Sequence, residues 1–383
     1  MPTRDPELEA LLDEYRTAGL LSEEQLDSSE IWWRDHQVWL QESGYMLRPR
    51  YHPGWIPSWK VSKKDKKKCE DRISSEYIHI MDGTRLSDGT VVIMKRLKPS
   101  EFPLEETIMA AFSEEPHASN TRNHCVPLYD VLHVPDDPKD SIILVMPLLR
   151  RAIDPNFDSV GEAVEFFRQI FEGVLYLHQN NVAHRDISTL NVMMDPRPLY
   201  PRLYHPFQDW MKADLSGYAS HRHRTRHPVK YYLIDFGFAR HYKTRDPPPR
   251  QAPRWGGDKS VPEHQSSAPC NPFAVDVYCL GNLIRQEFTV GTPFSSAKQG
   301  LEFMEPLLED MTHTDPKLRP TMEEVVARFE TIMQGLSSRT LRSPVVDTEE
   351  DPVLGFFRAI GHWWRRIQYV VTRTPAIPPP PSC

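Results

Sequence analysis

The chain has 383 residues, 39% of them hydrophobic and 26% charged, with a formal net charge of −7. That apolar share supports a folded core and excludes a wholly disordered chain. The acidic balance argues against a general nucleic-acid binder. The chain holds 36 Pro but only 17 Gly, roughly twice the usual proline share and well under the usual glycine share of about 7%.

Residues 1–14 are acidic and lack an apolar stretch, so a secretory signal is not expected. Residues 6–43 read as helical, with an aromatic second part carrying Ile31, Trp32, Trp33, Trp39 and Leu40. Tyr51 to Trp59 is a proline-punctuated aromatic loop, and Lys60 to Lys68 a lysine run. The run reads as a solvated loop, or alternatively as a nuclear-import signal. Val91 to Leu97 is a short β-rich run after a Ser87-Asp88-Gly89 turn signal. Pro103 to Phe112 reads as a helix and Ile142 to Leu149 as a buried strand.

Val160, Val164, Phe167, Phe171, Val174 and Leu177 recur every three or four residues, which predicts a long helix from about Ser159 to Gln179. The Pro-, His- and Arg-rich stretch 196–228 reads as an inserted loop. Its His221 to His227 run could bind an anion or a metal, but with no nearby Cys or acidic partner a solvated loop is favoured. Ala274 to Phe288 and Met322 to Met333 read as helices, 336–352 as a polar linker, and the tail from Pro375 as polyproline-like. Before that tail, Val353, Phe356, Phe357, Ile360, Trp364, Ile367 and Val371 form one stripe of a last helix, with Arg358, Arg365, Arg366 and Arg373 as its charges. Docking of that stripe onto the protein body is favoured over peripheral membrane contact.

No run approaches the roughly 18 apolar residues of a membrane span. The five cysteines are odd in number, scattered and without a CxxC pair. A reducing compartment, cytoplasm or nucleus, fits them.

Three ordered motifs carry the chemistry. Lys95 ends the strand Val91-Val92-Ile93-Met94. His184-Arg185-Asp186 follows the long helix, with Asn191 five residues after the aspartate, and Asp235-Phe236-Gly237 follows the β-type run Tyr231 to Ile234. In this order and context the set resembles the eukaryotic protein kinase family. Lesser motifs agree: Val261-Pro262-Glu263, Asp276 to Gly281, and Asp315-Pro316 with Arg319-Pro320. The resemblance covers roughly Arg72 to Met333. More weakly, the leading segment and the insertion look like kinase-like proteins numerous in mushroom-forming fungi.

The resemblance implies an α+β, bilobal fold, with a small β-rich lobe over 72–146 and a larger, mostly helical lobe over 147–335. An extension (1–71) precedes them, and the linker (336–352) and the last helix with its tail (353–383) follow. It implies transfer of phosphate from ATP, with Mg2+, to a protein hydroxyl, Ser/Thr favoured over Tyr. Asp186 would accept or orient the proton of that hydroxyl. Asn191 and Asp235 would hold Mg2+, an ion that prefers oxygen ligands. Lys95, fixed by Glu105 (Glu106 being the neighbouring alternative), would hold the α- and β-phosphates. Met146 would be the gatekeeper, Pro147 and Leu149 would offer backbone groups to adenine, and Arg185 could meet a phosphate on the segment between Asp235 and Glu263.

Four departures stand against that pattern. No Gly lies between Gly54 and Gly83, where a phosphate loop is expected near Ile73 to Ile80 with Tyr77 at its tip. Ile93 replaces a small residue over the adenine, Ser188 stands where Ser/Thr kinases have a lysine, and Gly256 stands where they have a threonine. These losses keep a second reading open, a pseudokinase that acts as a binding scaffold or regulator. The expected partners are a protein substrate or a regulatory protein, not nucleic acid.

Overall fold

The computed structural model describes residues 24–381 apart from 136, 138–139, 293–295 and 350. The first part of the helical reading over 6–43 therefore lies outside the described residues. In chain order, helices α1 (Ser28–Asp35) and α2 (Gln37–Glu42) lead to strand β1 (Tyr45–Met46) and the short α3 (Ser58–Val61). Strands β2 (Ile80–Arg85) and β3 (Val91–Leu97), helix α4 (Glu105–Ser113) and strands β4 (Asp130–His133), β5 (Ile142–Pro147) and β6 (Arg150–Arg151) follow. Then come α5 (Val160–Gln179), β7 (Val182–Ala183), β8 (Val192–Met194), β9 (Tyr204–His205), β10 (Gln208–Lys212), β11 (Tyr231–Leu233) and β12 (Arg240–His241). The remainder is α6 (Pro272–Ile284), β13 (Lys298–Gln299), α7 (Glu305–Met311), α8 (Met322–Gly335), α9 (Ser338–Leu341), β14 (Val346–Asp347) and α10 (Pro352–Val371).

These elements form two compact units. The first takes residues up to Glu101, Leu128–Leu148 and Tyr200–His221; the second takes Phe102–Pro127, Leu149–Leu199 and Arg222 onward. The first unit is built on an antiparallel five-stranded sheet in the order β1-β2-β3-β5-β4. The aromatic residues of the leading segment are part of its core. Trp33, Leu40, Tyr45, Leu47 and Tyr51 pack with Met81, Val92, Met94, Ile143 and Val145 of the sheet. Each such buried side chain contributes about 1.5–3 kcal/mol of transfer free energy.

Helix α1 starts at Asp27, whose carboxylate accepts from Ser29 N (2.7 Å) and Glu30 N (2.9 Å) while Glu30 Oε2 accepts from Asp27 N (3.1 Å). This reciprocal cap satisfies donors that the first turn leaves free. Glu30 also receives Arg50 Nε at 2.6 Å and the Tyr51 hydroxyl at 3.2 Å.

The long connection from β1 to β2 is held by charge rather than by regular structure. Arg48 donates to Asp82 Oδ1, Glu70 Oε1 and the Ile73 carbonyl, all at 2.8 Å. Its guanidinium lies 5.4 Å from the Phe207 ring, and His205 Nε2 is 3.1 Å from Glu70 Oε1. Part of the stretch 196–228 is therefore not a bare loop. It contains the β9–β10 hairpin, and that hairpin belongs to the first unit through Glu70 and Arg48.

The second unit is mainly helical. The α5 stripe expected from spacing is fully buried: Val160, Val164, Phe167, Phe171, Val174 and Leu177 are each 0% exposed. Phe171 meets Phe329 of α8 edge-on at 5.1 Å. Two glycines let other segments reach α5. A Cβ on Gly173 would lie 2.6 Å from His124 Cβ, and one on Gly161 would overlap the Ala376 carbonyl. The proline-rich tail thus rests on the start of α5, and Pro378 is buried. The polar stretch 336–352 is more ordered than a linker, since it holds α9 and β14, the latter paired with β13. Small ladders, β6-β8-β11 and β7-β12, frame the segment between α5 and α6.

Candidate active site

In the second unit the segment from β7 to β8 carries His184 to Asn191. Its start is fixed by Asp276 of α6, whose side chain is completely buried. That carboxylate accepts the backbone N–H of His184 (Oδ2, 2.8 Å) and of Arg185 (Oδ1, 2.6 Å), with His178 Nε2 at 3.0 Å. A buried carboxylate is tolerated when its lone pairs are filled by donors in this way. Arg185 holds a left-handed backbone (φ 68°), a conformation a side chain adopts only where its surroundings impose it. His184 Nε2 is 3.0 Å from the Ile234 carbonyl, and its ring lies 5.0 Å from that of Phe236.

Asp186 and Asn191 are brought together. The Asn191 amide Nδ2 donates to the Asp186 carbonyl (2.8 Å) and to Asp186 Oδ2 (3.1 Å). Gly257 N donates to Asp186 Oδ1 at 2.5 Å. Burial pushes the Asp186 carboxyl above its ordinary range and the negative charge of Asp235 adds to that, against the Gly257 and Asn191 hydrogen bonds and the neighbouring His184. Asp235 is also left-handed (φ 62°), and its Oδ1 accepts from Gly237 N at 3.4 Å. Gly237 is required by space, because a Cβ there would lie 2.9 Å from Phe102 Cδ1 and 3.3 Å from Glu105 Oε2. Glu105 is 1% exposed at the start of α4.

Arg185 donates to the backbone carbonyls of Phe238 (3.4 Å) and Ala252 (3.2 Å). Leu149 immediately precedes β6. Arg319 closes a two-pronged pair with Glu263 at 2.7 and 2.8 Å and also donates to the Ala274 carbonyl.

The departure at Ser188 has a structural counterpart. A Cβ on Gly256 would lie 2.5 Å from Asp186 Oδ1, and one on Gly257 would lie 3.2 Å from Ser188 Cβ. These two glycines rest directly on Asp186 and Ser188, and the Gly257 N–H occupies Asp186 Oδ1. Sequence reading named Gly256 as a loss and missed Gly257 as a donor. The adjacent pair of glycines in a glycine-poor chain was the available signal.

In the first unit, Lys95 sits on the central strand β3, opposite Ile80 of β2 and Leu144 of β5. Ile93 is opposite Met146, and Val92 opposite Pro147. The strand beside β2 is Tyr45–Met46, paired with Arg85 and Thr84, and Ile73–His79 is irregular. Ser75 organises that segment: its Oγ accepts from Tyr77 N (3.1 Å) and donates to the Ile80 carbonyl (2.8 Å). Tyr77 and Ile78 are exposed. Without glycine, a short polar side chain substitutes for backbone freedom.

Among the described residues, no cluster of three or more His, Cys, Asp or Glu could hold a metal by itself. Asn191 and Asp235 nevertheless fit a hard divalent cation that takes one or two protein oxygens and completes its shell with phosphate and water. The Asn191 Nδ2 is committed to Asp186, which leaves Asn191 Oδ1 as the atom to offer.

The protein kinase domain family model matches residues 76–329. Over 107 residues the chain is 33% identical to the Serine/threonine-protein kinase CAK1 of Saccharomyces cerevisiae, covering 27% of this chain and 27% of that protein. It is 29% identical over 120 residues to NUAK family SNF1-like kinase 2 of Homo sapiens (29% of this chain, 18% of that protein). It is 35% identical over 77 residues to the Carbon catabolite-derepressing protein kinase of Candida glabrata (19% of this chain, 12% of that protein). These matches span 27% or less of the relatives' own lengths.

Proposed function

The chain belongs to the protein kinase domain family, and from that premise we propose that it transfers the γ-phosphate of ATP to a protein hydroxyl, with Ser/Thr favoured. The observation that carries this reading is the arrangement around Asp186, an aspartate held by Asn191 and Gly257 on a loop anchored by buried Asp276. Phosphoryl transfer asks for positioning and charge stabilisation more than for covalent chemistry. Asp186 orients the attacking hydroxyl and takes its proton. Asn191 and Asp235 hold Mg2+, which when bound neutralises charge on the phosphate oxygens. Lys95 holds the α- and β-phosphates, Glu105 supports the site from α4, and Met146, Pro147 and Leu149 line the adenine position. Arg185 steadies the segment that follows Asp235. The serine/threonine kinase among the relatives supports the choice of hydroxyl.

The glycine-free Ile73–His79 segment makes this an atypical nucleotide site, with Ser75 and backbone groups where the phosphate loop is expected. The placement beside kinase-like proteins numerous in mushroom-forming fungi rests on the long leading segment and the insertion. No described helix is long and apolar enough to cross a membrane; the cytoplasm or nucleus is the proposed compartment, and a protein substrate or regulator the proposed partner.

The test is transfer of labelled phosphate from Mg-ATP to a protein acceptor by the purified full chain. Asp186→Asn is expected to lower the rate by about 10²–10⁴-fold, the range for loss of a general base. Equal rates from the two proteins would decide for the second reading, a pseudokinase scaffold, which the loss of loop glycines together with Ile93 and Ser188 favours.

A further inference from the structure

Helix α10 is docked by the side that a surface helix ordinarily turns to water. Arg365 donates Nε and Nη2 to the Asp158 carboxylate at 3.0 and 2.6 Å. His362 Nε2 lies 3.0 Å from the Arg342 carbonyl, Arg358 donates to the Val345 carbonyl at 3.0 Å, and the Arg226 guanidinium lies 5.0 Å over the Tyr369 ring. At about 100° per residue these four positions of α10 share one face.

The opposite face carries Phe356, Ile360, Trp363, Trp364, Ile367, Val370 and Val371, between 37% and 75% exposed. Of the stripe read from the sequence, Phe356, Ile360, Trp364, Ile367 and Val371 are exposed rather than docked on the body; the side chains of Val353 and Phe357 lie outside the described residues. An amphipathic helix packed on a protein normally has the reverse orientation.

We propose that this face is a membrane-binding surface that lies in the interface of an anionic lipid bilayer, independently of the catalytic reading. Two neighbouring tryptophans on an aliphatic arc suit the boundary between headgroup and acyl chain. Arg358 and Arg365 are held by the body, which leaves Arg366 beside the arc and Arg373, exposed just past the helix, as its charges; from Pro352 to Val371 there is no Asp or Glu. Arg366 is half-buried beside the apolar arc, so its stem can lie along that arc while its guanidinium reaches a headgroup phosphate.

The charge also selects among occupants. A second copy paired through this face would bring Arg366 and Arg373 of one copy against those of the other, with no acidic residue on either helix to offset them. Among the described residues, the body holds the other side of α10 and leaves the arc exposed. An anionic bilayer supplies both the apolar layer and the countercharge.

Sedimentation of the full chain with phosphatidylcholine vesicles, with and without about 30% phosphatidylserine, tests this. Binding is expected with the anionic vesicles and to weaken with salt. Trp363→Glu with Trp364→Glu should lower the partition coefficient about tenfold or more, with an unchanged melting temperature. Ile360→Gln is a second, milder variant with the same expected direction. Val38→Glu, at an exposed apolar position of the first unit, should bind like the unaltered chain. The proposal is overturned by no binding to anionic vesicles, by undiminished binding of the tryptophan variant, or by equal loss in Val38→Glu. It is also overturned by a concentration-dependent dimer that the tryptophan variant dissolves while vesicles are not bound.

Discussion

Asp186 is held in a place that costs its charged form. Burial and Asp235 push its carboxyl above the ordinary value, about 3.9. A carboxylate with a raised folded-state pKa stabilises the fold below its unfolded value and loses that contribution as pH rises through the folded one. Asp186→Asn should therefore melt at a higher temperature than the unaltered chain near pH 7.5 in a metal chelator, with the gap closing toward pH 4. A lower melting temperature across that range would contradict the assignment. Phosphate transfer should fall on acidification at a pH above the ordinary aspartate range, since the neutral acid cannot take a proton. Gly256→Ala places a Cβ 2.5 Å from Asp186 Oδ1 and should cost roughly 10²-fold in kcat, the scale of an ångström-size misplacement. At this scale the sequence was legible where residues are contiguous. His184 to Asn191 and Asp235 to Gly237 declare themselves, whereas the Gly257 donor lies 71 residues from Asp186 and no local pattern marks it.

Helix α5 was legible from spacing alone, because burial of one stripe and the helical repeat are the same information. The leading segment and the insertion were not. Arg48 meets Glu70 and Asp82, and Glu70 meets His205, across sequence separations of 22, 34 and 135 residues. The Arg50–Glu30 pair, with both side chains at 3% exposure or less, ties α1 to the rest of its unit. Arg50→Ala leaves Glu30 buried and should cost about 3–5 kcal/mol in chemical denaturation.

Helix α10 shows the limit of a periodic pattern, which identifies two faces but not which one docks. The deciding partner is Asp158, 207 residues from Arg365. Burial would raise the Asp158 carboxyl, but the His362 ring, with Nδ1 3.5 Å from Oδ1, and the hydrogen-bonded Arg365 guanidinium hold it well below its usual range. His223 also faces it, at 3.9 Å. With that sign, docking is fully supported above about pH 4 and weakens only as pH falls further. Asp158→Asn should loosen α10 by about 1–2 kcal/mol, since the pair is partly exposed. Amide exchange in the helix would then speed up roughly 5–30-fold.

Across the whole chain, the glycine shortage and the proline excess have separate meanings. The glycine-free stretch between Gly54 and Gly83 is where the strand beside β2 comes from Tyr45–Met46 and Ser75 shapes the approach to Ile80. Part of the proline excess marks segments that the sequence left as loop or tail and that prove anchored: Tyr200–His221 within the first unit and Pro378 buried within the second. The proposed function requires that Lys95, Asn191 and Asp235 hold ATP and its metal although the expected phosphate loop has no glycine. Thermal unfolding with ATP, with and without Mg2+, measures this directly. A rise of about 5 °C or more is expected at a hundredfold excess of nucleotide over its Kd, dependent on Mg2+ and lost in Lys95→Ala. No rise, or the same rise in Lys95→Ala, would contradict it.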